Sequence, residues 1–203
     1  MDSVTSPDFW ESRYQGKTTR WDLGEATPPL VSFLNSSESP KPGRTVVLGS
    51  GRGYEALLFA RAGFEVVGVD FAPSAIAASK ALAQNAGIEA QFLQRDIFEL
   101  PQEFPHDFDY VIEHTCFCAI PPEQRPDYVQ LVHTLLKPQG ELIGVFFTHN
   151  RGGGPPFGST PEEIGQLFKD RFEILTLEPV TNSVPSRQGE EHFARFRRRY
   201  GRI

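Results

Sequence analysis

The run Gly49-Ser50-Gly51-Arg52-Gly53 follows the apolar segment Thr45-Val46-Val47-Leu48, and Asp70 closes the next such segment, Phe64-Glu65-Val66-Val67-Gly68-Val69-Asp70. A short buried strand, a glycine turn, a helix and a second strand ending in a carboxylate make half of a nucleotide-binding βαβ unit. Glycine lets the backbone pass close to a ligand and take positive φ. An acid at the next strand tip is placed to accept both hydroxyls of a ribose. These residues predict an adenosine-containing cofactor. Dinucleotide enzymes carry G-x-G-x-x-G, which clears room for a pyrophosphate at the helix N-terminus. Here the pattern is G-x-G-x-G, with Tyr54-Glu55 directly after it. A carboxylate at that helix start opposes a bound phosphate but is harmless beside a cationic sulfonium, which points to S-adenosylmethionine, with S-adenosylhomocysteine as its product.

Further along, Ala90 to Gln94 delivers Arg95-Asp96, and Phe108 to Glu113 delivers His114 to Cys118. In doubly wound sheets ligands sit at the carboxyl ends of the strands, near the switch in strand order. Four tips should converge there: Gly49 to Gly53, Asp70, Asp96, and Glu113 to Cys118. Asp70 should bind the ribose, Asp96 should accept from the adenine amino group, and the Ile97 N–H should meet a ring nitrogen. The expected cofactor set from this half of the chain is Gly49, Gly51, Gly53, Asp70, Phe71, Asp96 and Ile97.

The elements that must position these tips are readable in outline. Tyr54 to Ala62 has helical spacing, and Ser74 to Ala86 is an alanine-rich helix entered through Pro73 and stopped at Gly87. Gln124 to Leu136 places Tyr128, Leu131, Val132 and Leu135 on one helical face, and Lys137 to Gly140 should end it. Glu141 to Phe147 reads as the fifth strand. Thr160-Pro161-Glu162-Glu163 is a capping box with proline at the first helical position, opening a helix to about Phe168. Phe172 to Leu177 and His192 to Arg199 read as the last two strands. Pro28-Pro29 should end the aromatic N-terminal stretch, and a Ser- and Pro-rich link leads to the first strand. Strands alternating with helices mean an α/β chain with a Rossmann-like, seven-stranded, mostly parallel sheet covered by helices on both faces. The expected layout is a single domain over residues 1–203, with an aromatic segment at 1–30 and the core at 43–203.

Composition agrees with a compact enzyme. The chain has 203 residues, 39% apolar and 23% charged, and a formal net charge of −6. That balance argues against general nucleic-acid binding. No stretch approaches the ~20 apolar residues of a membrane span, and Met1-Asp2-Ser3 begins no signal peptide. Cys116 and Cys118 are the only cysteines, which is no disulfide framework and fits a reducing cytoplasm. His114-x-Cys116-x-Cys118 lacks a fourth ligand, so no metal is expected. The run Arg195, Arg197, Arg198, Arg199 and Arg202 reads as a solvated edge strand. With no large apolar surface stripe evident, a monomer is expected.

Four segments carry a resemblance. Trp10-Glu11-Ser12-Arg13-Tyr14 through Thr19-Arg20-Trp21-Asp22-Leu23-Gly24 is similar to the aromatic N-terminal segment of the thiopurine and halide/thiol methyltransferases. His114-Thr115-Cys116-Phe117-Cys118-Ala119-Ile120-Pro121-Pro122-Glu123-Gln124-Arg125 resembles that family's motif after strand four. Gly153-Gly154-Pro155-Pro156-Phe157 and Ser183 to Gly189 resemble its two later loops. The resemblance is closer to the plant and microbial halide/thiol branch than to the animal thiopurine enzymes. It implies S-adenosylmethionine-dependent transfer of a methyl group to a small soft nucleophile: a thiol, hydrosulfide, thiocyanate, halide or thiopurine. It also implies that Trp10, Tyr14 and Trp21 cover the cofactor as a lid, and that His114 contacts it. Leu23, Phe117, Phe157 and Arg187 are the expected substrate-pocket residues; as cations near the mouth, Arg125 is the expected contact for an anionic substrate, and Arg187 a second contact or a structural residue. The chain departs from the pattern at His114, where plant relatives usually have Tyr and animal ones Arg. Phe157 replaces a Tyr of many plant members, which bears on halide preference.

Methyl transfer from a sulfonium is an in-line displacement that needs alignment and exclusion of water more than a strong base. For a thiol of high pKa, His114 is the expected proton acceptor. Bland readings stand beside these: His114 as a satisfied strand-end histidine, and Trp10 and Trp21 as simple packing. A non-catalytic S-adenosylmethionine-binding sensor and a nicotinamide-dependent oxidoreductase stay open as alternatives.

Overall fold

In the computed structural model, which describes residues 3–199, the elements run α1 (Pro7–Gln15), α2 (Pro28–Leu34), β1 (Arg44–Leu48), α3 (Tyr54–Arg61), β2 (Glu65–Asp70) and α4 (Pro73–Ala86). They continue with β3 (Gln91–Gln94), α5 (Leu100–Glu103), β4 (Phe108–His114), α6 (Arg125–Leu135), β5 (Leu136–Phe147), α7 (Pro161–Phe168), β6 (Phe172–Pro179) and β7 (Glu191–Arg198). The seven strands form one sheet in the order β3-β2-β1-β4-β5-β7-β6. Neighbours from β3 to β5 pair in parallel, and β7 lies antiparallel between β5 and β6.

Both faces of the central strands β1, β2, β4 and β5 are largely buried, which is why those strands read as near-continuous apolar runs. Alternation sorts them: Val46, Leu48, Val67, Val111, Leu142 and Phe146 join one core with Leu100, Tyr128, Val132, Ile164 and Phe168. Val47, Val66, Ile112, Ile143 and Val145 join the other with Leu30, Phe33, Ala56, Phe59 and Ile76. Helices α5, α6 and α7 therefore cover one face, and α2, α3 and α4 cover the other. Strand order reverses between β1 and β4, so the tips after β1, β2, β3 and β4 share one end of the sheet.

Local signals act as their chemistry requires. Gly87 takes φ +64° to stop α4. The Thr160 hydroxyl accepts from the Glu163 N–H at 3.2 Å, and the Glu163 carboxylate accepts from the Thr160 N–H at 3.0 Å. Three expectations are corrected. Pro28 and Pro29 open α2 rather than ending a segment, because proline suits a first helical turn, where its missing N–H costs nothing. Lys137 to Gly140 belongs to β5, which starts at Leu136 opposite Phe108, with a register shift before Tyr110. Strand β7 is not an edge: β6 flanks it, and Arg195 and Arg197 bond the Glu141 carboxylate at 2.9 and 3.0 Å on the neighbouring strand. Arg202 lies outside the described residues. No described helix is long and apolar enough to cross a membrane.

Candidate active site

The converging strand tips and the N-terminal segment enclose a cavity of about 810 Å³. Gly49, Asp70, Phe71, Asp96, Ile97 and Phe98 line its floor, and Trp10, Tyr14 and Trp21 line the opposite side. Thr115, Cys116, Cys118, Ile120, Phe147, Pro155, Pro156 and Arg187 line much of the remainder, and Arg13 and Arg20 line it from the N-terminal segment.

Each floor residue is set by its turn. Gly49 takes φ +58°, and a Cβ on it would stand 3.0 Å from the Cys116 sulfur, so only bare backbone fits. Asp70, at the β2 tip, accepts from the Gly51 N–H at 2.8 Å and the Ala72 N–H at 2.9 Å. Burial outweighs those bonds and pushes its carboxyl up to about 6. Asp96 caps the turn after β3, accepting from the Phe98 N–H at 2.9 Å. Gly51 and Gly53 do not line the cavity. Gly51 serves through its N–H on Asp70, and Gly53 is needed for packing: a Cβ there would stand 2.8 Å from the Ser79 Cβ.

The aromatic side rests on α4. Glu11 of α1 accepts from the Ser74 N–H at 2.9 Å and from the Ser74 hydroxyl. Trp21 packs edge-on to both Trp10 and Tyr14, with centroids 5.4 and 5.7 Å apart. Tyr14 is buried, and burial drives its hydroxyl far above the ordinary phenol range.

The turn after β4 hangs on a carboxylate that sequence reasoning passed over. Glu113 is fully buried and accepts from the N–H groups of Cys116 and Phe117, both at 2.9 Å, and from the Tyr128 hydroxyl at 2.5 Å. Burial pushes its carboxyl upward. Thr115 takes φ +61° to make this turn. Burial also pushes the Cys118 thiol up to about 12 and the Cys116 thiol well above its ordinary value, so both stay protonated. Among the described residues no group of three or more His, Cys, Asp or Glu side chains could hold a metal.

Several expected site residues do other work. The His114 side chain is only 8% exposed; its Nδ1 lies 2.8 Å from the Glu55 carboxylate and its Nε2 lies 2.9 Å from Arg187 Nη1. Both ring nitrogens thus have protein partners in this structure, and His114 does not line the cavity. Arg125 also stays off the cavity. Its Nη2 donates to the carbonyls of Phe157 and Gly158 at 3.2 and 3.0 Å, with the guanidinium 4.7 Å over the Phe117 ring. In this arrangement it clamps the loop. Phe117 points into the core, edge-on to Tyr128 and Phe146. Phe157 covers Gly154, where a Cβ would meet its ring at 2.3 Å, and leaves Pro155 and Pro156 to face the cavity. Leu23 is half-buried outside the lining. Arg187 does line the cavity, as expected.

The Glu55 carboxylate, expected beside the cofactor, turns under the N-terminal segment, where it also accepts from the Thr27 N–H at 3.1 Å. Burial opposes its ionisation, and the hydrogen bonds from the His114 ring and from that N–H favour it.

Residues 5–200 match the model of the thiopurine S-methyltransferase family. The chain is 34% identical over 196 residues to thiocyanate methyltransferase 1 of Arabidopsis thaliana, covering 93% of this chain and 84% of that one. It is 33% identical over 201 residues to a probable thiol methyltransferase 2 of the same plant, covering 97% and 87%. The magnesium protoporphyrin IX methyltransferase of Synechocystis PCC 6803, solved with bound S-adenosylmethionine, has the same fold, with a TM-score of 0.76 at 17% identity over 98% of this chain and 99% of that one. The floor fits that cofactor: a buried carboxylate at the β2 tip and a bare backbone at Gly49. A match over nearly the whole chain and the sheet order together establish that this protein belongs to the thiopurine S-methyltransferase family of S-adenosylmethionine-dependent methyltransferases.

Proposed function

We propose that this enzyme methylates a small soft nucleophile that reaches the site as an anion: thiocyanate, hydrosulfide, iodide or an ionised thiol. One observation carries the reading. Among the described cavity residues, the two thiols are held protonated, the nearby histidine has both nitrogens engaged, and the carboxylates lie at the cofactor end. An acceptor that needs a base would find none, whereas an anion needs only a cation and a dry wall. Arg187, the buried one of three arginines lining the cavity with Arg13 and Arg20, supplies the cation, and Ile120, Phe147, Pro155 and Pro156 the wall. The relatives named for thiocyanate and thiol substrates support the same class.

S-adenosylmethionine, when bound, supplies a methyl group already activated by positive sulfur. Asp70 would accept the ribose hydroxyls, Asp96 and the Ile97 N–H would hold the adenine edge, and the bare backbone at Gly49 would leave room for the ligand. Trp10, Tyr14 and Trp21 cover the site, and their rings favour a cation beneath them by roughly 0.5–2 kcal/mol. Arg187 orients the acceptor anion, and the apolar wall keeps water from it, which raises its reactivity. The enzyme thus works by alignment and desolvation.

The test is methyl transfer from labelled S-adenosylmethionine to thiocyanate, iodide, hydrosulfide, an alkanethiol, an aromatic thiol and a thiopurine. Turnover is expected with the anions and acidic thiols, ahead of the thiopurine. No turnover on any of them, with cofactor binding intact, would overturn the soft-nucleophile reading and favour a cofactor-binding sensor.

A further inference from the structure

We propose that Glu55 and His114 are positioning residues for Arg187, and that this buried string sets the anion preference of the acceptor pocket and ties it to the aromatic lid. The proposal rests on the acceptor-binding role given to Arg187 above.

Donor counting fixes the polarity of the string. Arginine has N–H donors and no acceptor. His114 Nε2, 2.9 Å from Arg187 Nη1, must therefore present its lone pair, which leaves the ring proton on Nδ1, facing Glu55 at 2.8 Å. The tautomer follows from the partners rather than from a visible hydrogen. Glu55 is in turn fixed by the Thr27 N–H. The carboxylate thus orients the ring, and the ring orients the guanidinium.

Arg187 spends three donors inside the protein: Nη1 to His114 and, at 3.3 Å, to Glu191, and Nη2 to the Trp21 carbonyl at 2.7 Å. Its Nε–H and one Nη2–H have no partner among the described residues, and the guanidinium lies 5.6 Å over the Phe147 ring on the cavity wall. These are the donors an anion can use. The Trp21 carbonyl belongs to the residue whose ring packs on Trp10 and Tyr14, so one arginine touches both pocket and lid.

Glu191 explains why the histidine is needed. Its carboxylate is buried, its contact with Arg187 is long, and its Oε2 has no hydrogen-bond partner. Without an acceptor at position 114, Arg187 is free to turn onto both Glu191 oxygens. A bidentate pair of that kind is stronger than the present contact and would neutralise the cation. His114 holds the guanidinium back from it.

The experiment compares His114→Phe with His114→Gln, because a glutamine amide keeps the pattern of acceptor towards Arg187 and donor towards Glu55. Thiocyanate is titrated calorimetrically into protein saturated with S-adenosylhomocysteine, in chloride-free buffer. KM is measured in parallel for thiocyanate and for an alkanethiol, which reacts as its thiolate, and the dissociation constant for S-adenosylhomocysteine serves as the control. His114→Phe is expected to weaken thiocyanate binding and to raise KM for both acceptors by about tenfold or more, while the S-adenosylhomocysteine affinity changes by less than about threefold. His114→Gln should stay within about threefold of the parent in every measurement. Unaltered thiocyanate binding in His114→Phe, an equal loss of S-adenosylhomocysteine affinity, or a glutamine variant as impaired as the phenylalanine one would each overturn the positioning role. A base at position 114 would give a different pattern, with thiocyanate spared and only the alkanethiol lost. If the parent itself does not bind thiocyanate, the role of Arg187 fails and this inference fails with it. Parent binding with unchanged variants removes only the positioning role.

Discussion

Replacing Asp70 by asparagine is expected to raise the dissociation constant for S-adenosylmethionine by about tenfold to a hundredfold, the worth of roughly 1.5–3 kcal/mol of charge-assisted hydrogen bonding. The pH dependence gives this prediction its signature. Burial pushes the Asp70 carboxyl up to about 6 in the ligand-free protein. Ribose hydroxyls donate, so they favour the ionised carboxylate, and binding must expel a proton wherever the group is protonated. Affinity should therefore fall as pH drops below about 6, approaching tenfold per pH unit, and the asparagine variant should show no such step. The linkage to folding has the opposite sign. A folded-state pKa above the ordinary value of 3.8 stabilises the empty fold at low pH, and that contribution is lost as pH rises through about 6. Lost affinity in the variant is thus a binding defect and not a folding one, which thermal unfolding of the empty protein checks. Calorimetric titration across this range that found one flat, shared affinity for parent and variant would remove Asp70 from the cofactor site.

Glu113→Ala is expected to be the most destabilising single change near the site. It strips the partners from the N–H groups of Cys116 and Phe117 and from the Tyr128 hydroxyl, all buried. Each orphaned group costs about 1–3 kcal/mol. Removing a carboxylate that burial already disfavours offsets part of that. A net loss of about 3 kcal/mol lowers the melting temperature of a chain this size by roughly 6–12 °C. Tyr128→Phe removes one donor and should cost about a third as much. Because Cys116 and Cys118 sit on the same turn and line the cavity, the alanine variant should also lose cofactor affinity in what remains folded. An unchanged melting temperature would show that the turn after β4 holds without its carboxylate.

The floor of the site was legible in the chain because covalent geometry sets it. A glycine turn after one strand and an acid at the end of the next must lie side by side once the two strands pair in parallel, and they do, with Val47 opposite Gly68 and Leu48 opposite Val69. Asp96 follows for the same reason one strand further out. The acceptor side was less legible because long side chains choose partners across the fold. Arg125 reaches the Phe157 and Gly158 carbonyls, and Glu55 reaches His114, contacts that no local spacing encodes. His114 reads as a base in sequence because histidine titrates near neutrality, whereas in the fold two buried neighbours meet both its ring nitrogens. Phe117 and Phe157 belong to motifs of the resemblance, yet alternation and packing turn both rings away from the cavity. Glu113 could have been noticed as an acid ending an otherwise buried strand beside a chain reversal.

The central claim is that the acceptor brings its own negative charge and the enzyme supplies no base. The most direct measurement is kcat/KM against pH, from about pH 6.5 to about 9.5, for thiocyanate and for alkanethiols of graded acidity. The account predicts a flat profile for thiocyanate and, for each thiol, a rise of about tenfold per pH unit that levels at that thiol's own pKa. A shared plateau near neutrality, independent of thiol acidity, would reveal an enzyme base and contradict the account.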